Sequence, residues 1–181
     1  YGHQWMGDRW FDNRTSLIVD PSNGRLPPRT PETGERAGRN VPPPAGPETV
    51  AQELDRLDRG VRCRGGNPLL SGRGYNSNYQ IVQSPDYVVI NMEMMHDARI
   101  IPLDGRPHVS SDIRGYLGDS RGHWDGDTLV IETTNYNGQN VVLAGLSFTT
   151  ASTDLTVTER ITRVSPDILN YEVTYDDPSV W

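Results

Sequence analysis

The stretch from Tyr79 to His108 gathers Glu93, His96, Asp97, Arg99, Asp104, Arg106 and His108. Carboxylates, imidazoles and guanidiniums at this density suit proton transfer, anion clamping or metal ligation. In an acid/base reading, Glu93 or His96 is the base and Arg99 or Arg106 clamps an anion. Asp119 and His123 then approach from a glycine-hinged loop, Gly118-Asp119-Ser120-Arg121-Gly122-His123-Trp124. Elimination, isomerisation and hydrolysis all fit such groups. In a metal reading, His96, His108 and His123 hold zinc, copper or iron, completed by Asp97, Asp119 or Glu93. The spacing matches no established ligand signature, and no motif specifies a cofactor. The bland alternative is that Arg99, Asp104 and Arg106 brace a turn by ion pairing, and that the histidines are ordinary half-buried polar residues.

A third reading is a binding cavity lined by Tyr87, Met92, Met94, Arg106 and Trp124, suited to a small apolar or aromatic molecule. The same methionines serve equally as ordinary core. Nucleophilic catalysis has less support, because no Gly-x-Ser-x-Gly occurs and the single cysteine, Cys63, has no histidine beside it. As one thiol it forms no internal disulfide, and a buried, inert role is expected.

These side chains need elements to hold them. Tyr79 to Gln83 alternates, Ser84-Pro85-Asp86 supplies turn chemistry, and Tyr87 to His96 reads as a strand apolar on both faces. Val88, Ile90, Met92, Met94 and His96 share one face, which separates Glu93 from His96. Ala98 to Leu103 is a further strand. Thr15 to Val19, Thr128 to Thr134 and Val141 to Leu143 read as short strands, and Ser110 to Leu117 as a turn of helix. The clearest hairpin runs from Leu155 through Ser165-Pro166-Asp167 to Asp176. On its first strand Glu159 shares a face with Leu155, Val157 and Ile161, so it is expected either to pair with an arginine or to hold its proton, with an exposed rim or a structural ion pair as the bland alternative. As a further catalytic candidate it could reach the same cavity and pair with Arg99. The one expected helix is Thr49 to Arg59, with Thr49 and Gln52 at capping-box spacing and Gly60 after its end.

The expected architecture is mainly β, with about seven to nine strands: an antiparallel twisted sheet or a calycin-like β-barrel. Residues 1–48, rich in proline, glycine and aromatics, form an extended arm on the body, and residues 49–181 form the β-rich domain. Hydrophobic residues make up only 34%, against 18 glycines and 14 prolines, so turns and irregular segments take a large share. Net charge is −7, and all 17 basic residues are arginine, scattered along the chain. A lysine-free, acidic chain excludes Schiff-base and P-loop lysine chemistry and speaks against nucleic-acid binding. No apolar run is long enough for a membrane span. The chain opens on Tyr1, and a processed N-terminus is expected.

Four pieces carry a resemblance: RTSLIVDPSNGRLPP, YNSNYQIVQSPDYVVINMEMMHDARIIPLDGRPH, GYLGDSRGHWDGDTLVIETTNYNG and LTVTERITRVSPDILNYEVTYDDPSVW. In this order they resemble a family of exported bacterial proteins without an established activity. The resemblance implies an extracytoplasmic, periplasmic or secreted, location and brings no site residues with it. The Gly-His-Trp-Asp-Gly-Asp-Thr-Leu turn and its hairpins are also similar to calycin-like barrels. Three functions follow, in order: a small-molecule-binding β domain; an enzyme using the same pocket; and a structural protein that self-associates through its arm or edge strands.

Overall fold

The computed structural model describes residues 14–31, 70, 78–93, 96–138, 141–144 and 147–181. They contain nine strands, in chain order β1 (Tyr79–Gln83), β2 (Tyr87–Met92), β3 (Ala98–Pro102), β4 (Asp119–Asp125), β5 (Thr128–Thr134), β6 (Val141–Ala144), β7 (Ser147–Thr150), β8 (Thr156–Ser165) and β9 (Ile168–Asp176). All strand pairings are antiparallel. One sheet has the order β1-β2-β3, a second β4-β5-β8-β9, and a small third sheet pairs β6 with β7.

The turns follow from local chemistry. Between β1 and β2, the Ser84 N–H donates to the Tyr87 carbonyl at 2.8 Å, and the Ser84 hydroxyl oxygen accepts the Tyr87 N–H at 3.1 Å. Between β4 and β5 the register Asp125↔Thr128 leaves Gly126-Asp127 as the loop, with Gly126 in the left-handed region at φ 59. Between β8 and β9 the Pro166-Asp167 pair turns the chain, after a register shift between Arg163 and Ser165.

The core forms where the inner faces of the two larger sheets meet. Val88 and Ile90 on β2 and Ile101 on β3 pack with Leu129 and Ile131 on β5 and Ile161 on β8, and Leu70 and Leu103 pack at the margin. A second cluster joins Tyr136, Ala151, Leu155 and Val157, with Val173 and Tyr175 against it. Beside the cores, the Thr30 N–H and hydroxyl donate to the carbonyls of Val180 and Ser179, which ties the segment around Thr30 to residues 179–180.

The antiparallel β expectation holds, and the barrel alternative does not. Among the described residues β3 lies beside β4 without a ladder, and β1 and β9 each have one strand partner, so the sheets do not close. The expected polar loop at Gly118–Trp124 is largely strand β4, because Thr128 to Thr134 pairs with it along its full length. Thr15 to Val19 forms no strand, and Ser110 to Leu117 is a turn rather than helix. β2 ends at Met92, sooner than the run of apolar residues suggested, because His96 at φ 57 turns the backbone. The helix at Thr49–Arg59, Cys63 and most of the arm lie outside the described residues. No described helix is long and apolar enough to cross a membrane.

At Gly122 on β4 the two inner faces approach closely. A Cβ there would sit 2.8 Å from Ile101 Cγ2 and 2.9 Å from Leu103 Cδ2. Gly122→Val is expected to destabilise the fold by about 1–3 kcal/mol through overpacking. Urea denaturation measures it, and an unchanged midpoint would mean that the two sheets are not in contact there.

Candidate functional site

Alternation along β8 points Val157, Glu159 and Ile161 to the core, and Glu159 is fully buried. Its ladder neighbours are Ile131 on β5 and Val173 on β9, neither of which offers a hydrogen bond from its side chain. The partner comes from the other sheet. Arg99 on β3 is 3% exposed, and its guanidinium donates to Glu159 Oε1 at 3.1 Å and from its second terminal nitrogen to Oε2. That nitrogen also reaches Ser120 Oγ at 3.3 Å and Thr133 Oγ1 at 3.2 Å, and the two hydroxyls bond each other at 2.9 Å. The Tyr171 hydroxyl donates to Glu159 Oε1 at 2.9 Å. Burial pulls the Arg99 proton affinity down, but the adjoining carboxylate outweighs it and the net direction is up, so the guanidinium stays charged. Burial first, then Glu159, pushes the Tyr171 phenol well above its ordinary value and keeps it a donor.

Tyr136 joins this cluster from the turn after β5. It is fully buried, and its hydroxyl makes no well-formed hydrogen bond among the described residues. Burial raises its proton affinity, the Arg99 charge partly offsets the rise, Glu159 adds to it and the Thr133 hydroxyl works against it; the net result is a phenol that remains protonated. Its ring is fixed against Gly118, where a Cβ would lie 3.1 Å from Tyr136 Cε1. Gly118 at φ 70 takes a backbone conformation that other residues avoid.

A second cluster lies on the outer face of β4 and β5. His108 Nδ1 bonds Asp119 Oδ2 at 2.9 Å, and its Nε2 lies 3.2 Å from Glu132 Oε1. Arg121 donates to Asp119 Oδ1 at 2.7 Å and to the Pro107 carbonyl at 3.0 Å, and the Val109 N–H donates to Asp119 Oδ2. Partial burial works to raise the Asp119 carboxyl, but the Val109 N–H, His108 and Arg121 together hold it below its ordinary value. These bonds lash the connection between β3 and β4 across the sheet. Asn135 completes the lashing, its amide donating to the carbonyls of Val109, Ser110 and Ile113.

Of the residues expected in one pocket mouth, the structure joins Arg99 and Glu159. Asp119 and His123 share the opposite face of β4 from Ser120, pointing away from that pair. Glu93 is exposed and accepts the Asn78 backbone N–H and side-chain amide, while His96 is exposed with Nδ1 bonded to the Glu93 carbonyl. Arg106 pairs with Asp104 and donates to the Tyr87 hydroxyl at 3.1 Å, so the two brace a surface turn. Arg106 holds the Asp104 carboxyl down at about 2. Met92 faces the core, Trp124 is about half exposed at 48%, and Met94 lies outside the described residues. Among the described residues no three His, Cys, Asp or Glu side chains are placed to hold a metal, and His108 is engaged by carboxylates rather than by His96 or His123. Ser120, Thr133, Tyr136 and Tyr171 carry no motif. Their one available signal was Glu159 itself, since a carboxylate on an apolar face requires a ring of donors around it. Comparison with protein-family models, curated proteins and solved structures finds no match to the chain.

Two outcomes follow from these clusters. Arg99→Met strands a buried carboxylate and is expected to cost about 3–5 kcal/mol, whereas Arg99→Met with Glu159→Leu recovers most of the loss. Denaturant titration of the single and double variants checks it; a double variant as unstable as the single would show that the pair is not one unit. Because the folded-state Asp119 carboxyl titrates below its unfolded value, its stabilisation is present above the ordinary value of 3.8 and is lost as pH falls through the lowered one. Below about pH 4 the stability of Asp119→Asn is therefore expected to fall less steeply than that of the parent. Parallel acid-unfolding curves would refute this.

Proposed function

We propose that this chain is an extracytoplasmic β domain that binds a small apolar or aromatic molecule against the inner face of the four-stranded sheet. The observation that carries the reading is the fully buried Tyr136 hydroxyl, which makes no well-formed hydrogen bond among the described residues although Thr133 lies close enough to act on it. A buried polar group left unpaired costs about 1–3 kcal/mol, and a ligand atom that accepts its proton removes that cost. Around it the chemistry is already balanced. Arg99 is neutralised by Glu159 and Tyr171 is committed to Glu159, so the cluster holds no spare charge for an ionic ligand. Val173 and Tyr175 offer half-buried apolar surface on edge strand β9, and Tyr175 stands next to Trp181 with ring centroids 6.4 Å apart. The occupant that suits this wall is neutral, with one carbonyl or ether oxygen for Tyr136 and an aromatic or aliphatic body for β9. The extracytoplasmic part of the proposal rests on the resemblance to exported bacterial proteins, and fractionation that finds the complete protein in the cytoplasm of its host would end it.

Tyr136→Phe separates binding from mere structure. Without ligand the variant is expected to be more stable than the parent by about 1 kcal/mol, because an unpaired hydroxyl has gone. With ligand it binds more weakly by about tenfold, the loss of one hydrogen bond. Native mass spectrometry of gently purified protein reads retained molecules, and tryptophan fluorescence reads titration with a panel of neutral aromatic ketones and ethers. A parent protein that retains nothing and responds to none of the panel overturns the proposal.

A further inference from the structure

The two larger sheets end in four strands, and three of those edges are guarded. β4 carries Asp119, Arg121 and Asp125 and is bonded to the connection at Pro107 and Val109. β9 carries Glu172 and Asp176. β3 lies beside β4, stops at Pro102 and directs Arg99 inward. Charges, proline and covering segments are the devices by which sheet edges avoid pairing with other strands. Among the described residues β1 has none of them. Its sequence is Tyr-Gln-Ile-Val-Gln, its pairing among the described residues is to β2 alone, and its last four residues are exposed. Ile81 is 36% and Val82 46% exposed.

We infer that two copies of this chain pair antiparallel through β1. The geometry selects a second copy because this strand complements itself. A closed pair needs a two-fold axis normal to the sheet, which places residues of equal parity opposite one another and keeps inner faces on the same side. Centring the axis on Ile81 sets Ile81 against Ile81 of the second copy and Gln80 against Val82. No charges meet. On the inner side the cross-strand pair Ile81↔Ile90 continues into its own copy as one apolar row. On the outer side Val82, Val89 and Ile100 lie in one row across β1, β2 and β3, with Ile100 64% exposed, and pairing sets Val82 against Gln80 of the second copy, so that the two apolar rows lie side by side, staggered along the strands. A register odd by one residue is closed to this edge, because it would set outward-pointing backbone N–H and C=O groups of one copy against residues whose own groups point back to β2.

Sedimentation equilibrium over micromolar to millimolar concentration tests this with the full chain. The parent is expected to dimerise, and Val82→Lys, which puts a charge on the exposed face of β1, weakens association by tenfold or more with an unchanged circular dichroism spectrum. Glu172→Lys on the β9 edge leaves the dimer intact. The register has its own readout, independent of the stability of any one variant. In a Cys63→Ser background, Ile81→Cys forms an intermolecular disulfide on mild oxidation, and Gln83→Cys, displaced about 13 Å along the strand from its copy, does not. A parent that stays monomeric, a dimer indifferent to Val82→Lys or lost with Glu172→Lys, or cross-linking at position 83 in preference to 81 each overturns the inference.

Discussion

The ion pair between Arg99 and Glu159 ties the two larger sheets together and dictates what surrounds it. Both side chains are removed from water, with 2% and 0% of their surfaces exposed. Charges in such a place are tolerated only when each has a partner and their remaining hydrogen-bonding capacity is largely met. That requirement explains residue types that apolar packing alone would not choose. Ser120 and Thr133 supply hydroxyls where β4 and β5 could carry alanine and valine, and Tyr171 supplies a phenol where leucine would fill the space. Gly122, next along β4, has no side chain, and Ile101 of the opposite sheet takes the room.

The pair also fixes register. Glu159 stands opposite Ile131 and Val173, and Arg99 opposite Ile90. A slip of one residue in β8 would turn the carboxylate to solvent and leave the guanidinium alone in the core, which costs far more than the apolar contacts exchanged. Apolar side chains such as Val157 and Ile161 tolerate neighbours of many shapes. An ion pair with directed hydrogen bonds accepts one arrangement, and here it sits at the centre of the interface between the sheets.

Much of this architecture was legible because it is written in local patterns. Alternation marked β1, β8 and β9, a β-branched apolar run marked β2, and Ser-Pro-Asp marked two of the turns. The apolar face of the last hairpin exposed Glu159 as a carboxylate in need of a cation, and Arg99 was the right one. What was not legible depends on contacts distant in sequence. Glycines and polar residues made Gly118 to Trp124 read as a loop, yet pairing with β5 made most of it a strand, and that strand's alternation then sent Asp119 and His123 away from Arg99. Tyr136 was invisible for the same reason: nothing about one tyrosine after a strand tells that the chain will fold its hydroxyl into a dry core. The bond of His108 to Asp119 and Glu132 likewise needs the connection after β3 to fold back over β4, which no spacing rule foretells.

The distance along the chain between the two charges has a kinetic side. Sixty residues separate Arg99 from Glu159, with four strands between β3 and β8. Either charge costs little while its strand is wetted, and becomes expensive once its sheet docks without the other. Half-assembled states, with one inner face buried and the second sheet unformed, are thereby penalised, so that docking of the two sheets becomes a single late, cooperative step. Amide hydrogens of β2, β3, β5 and β8 should then exchange as one unit rather than sheet by sheet.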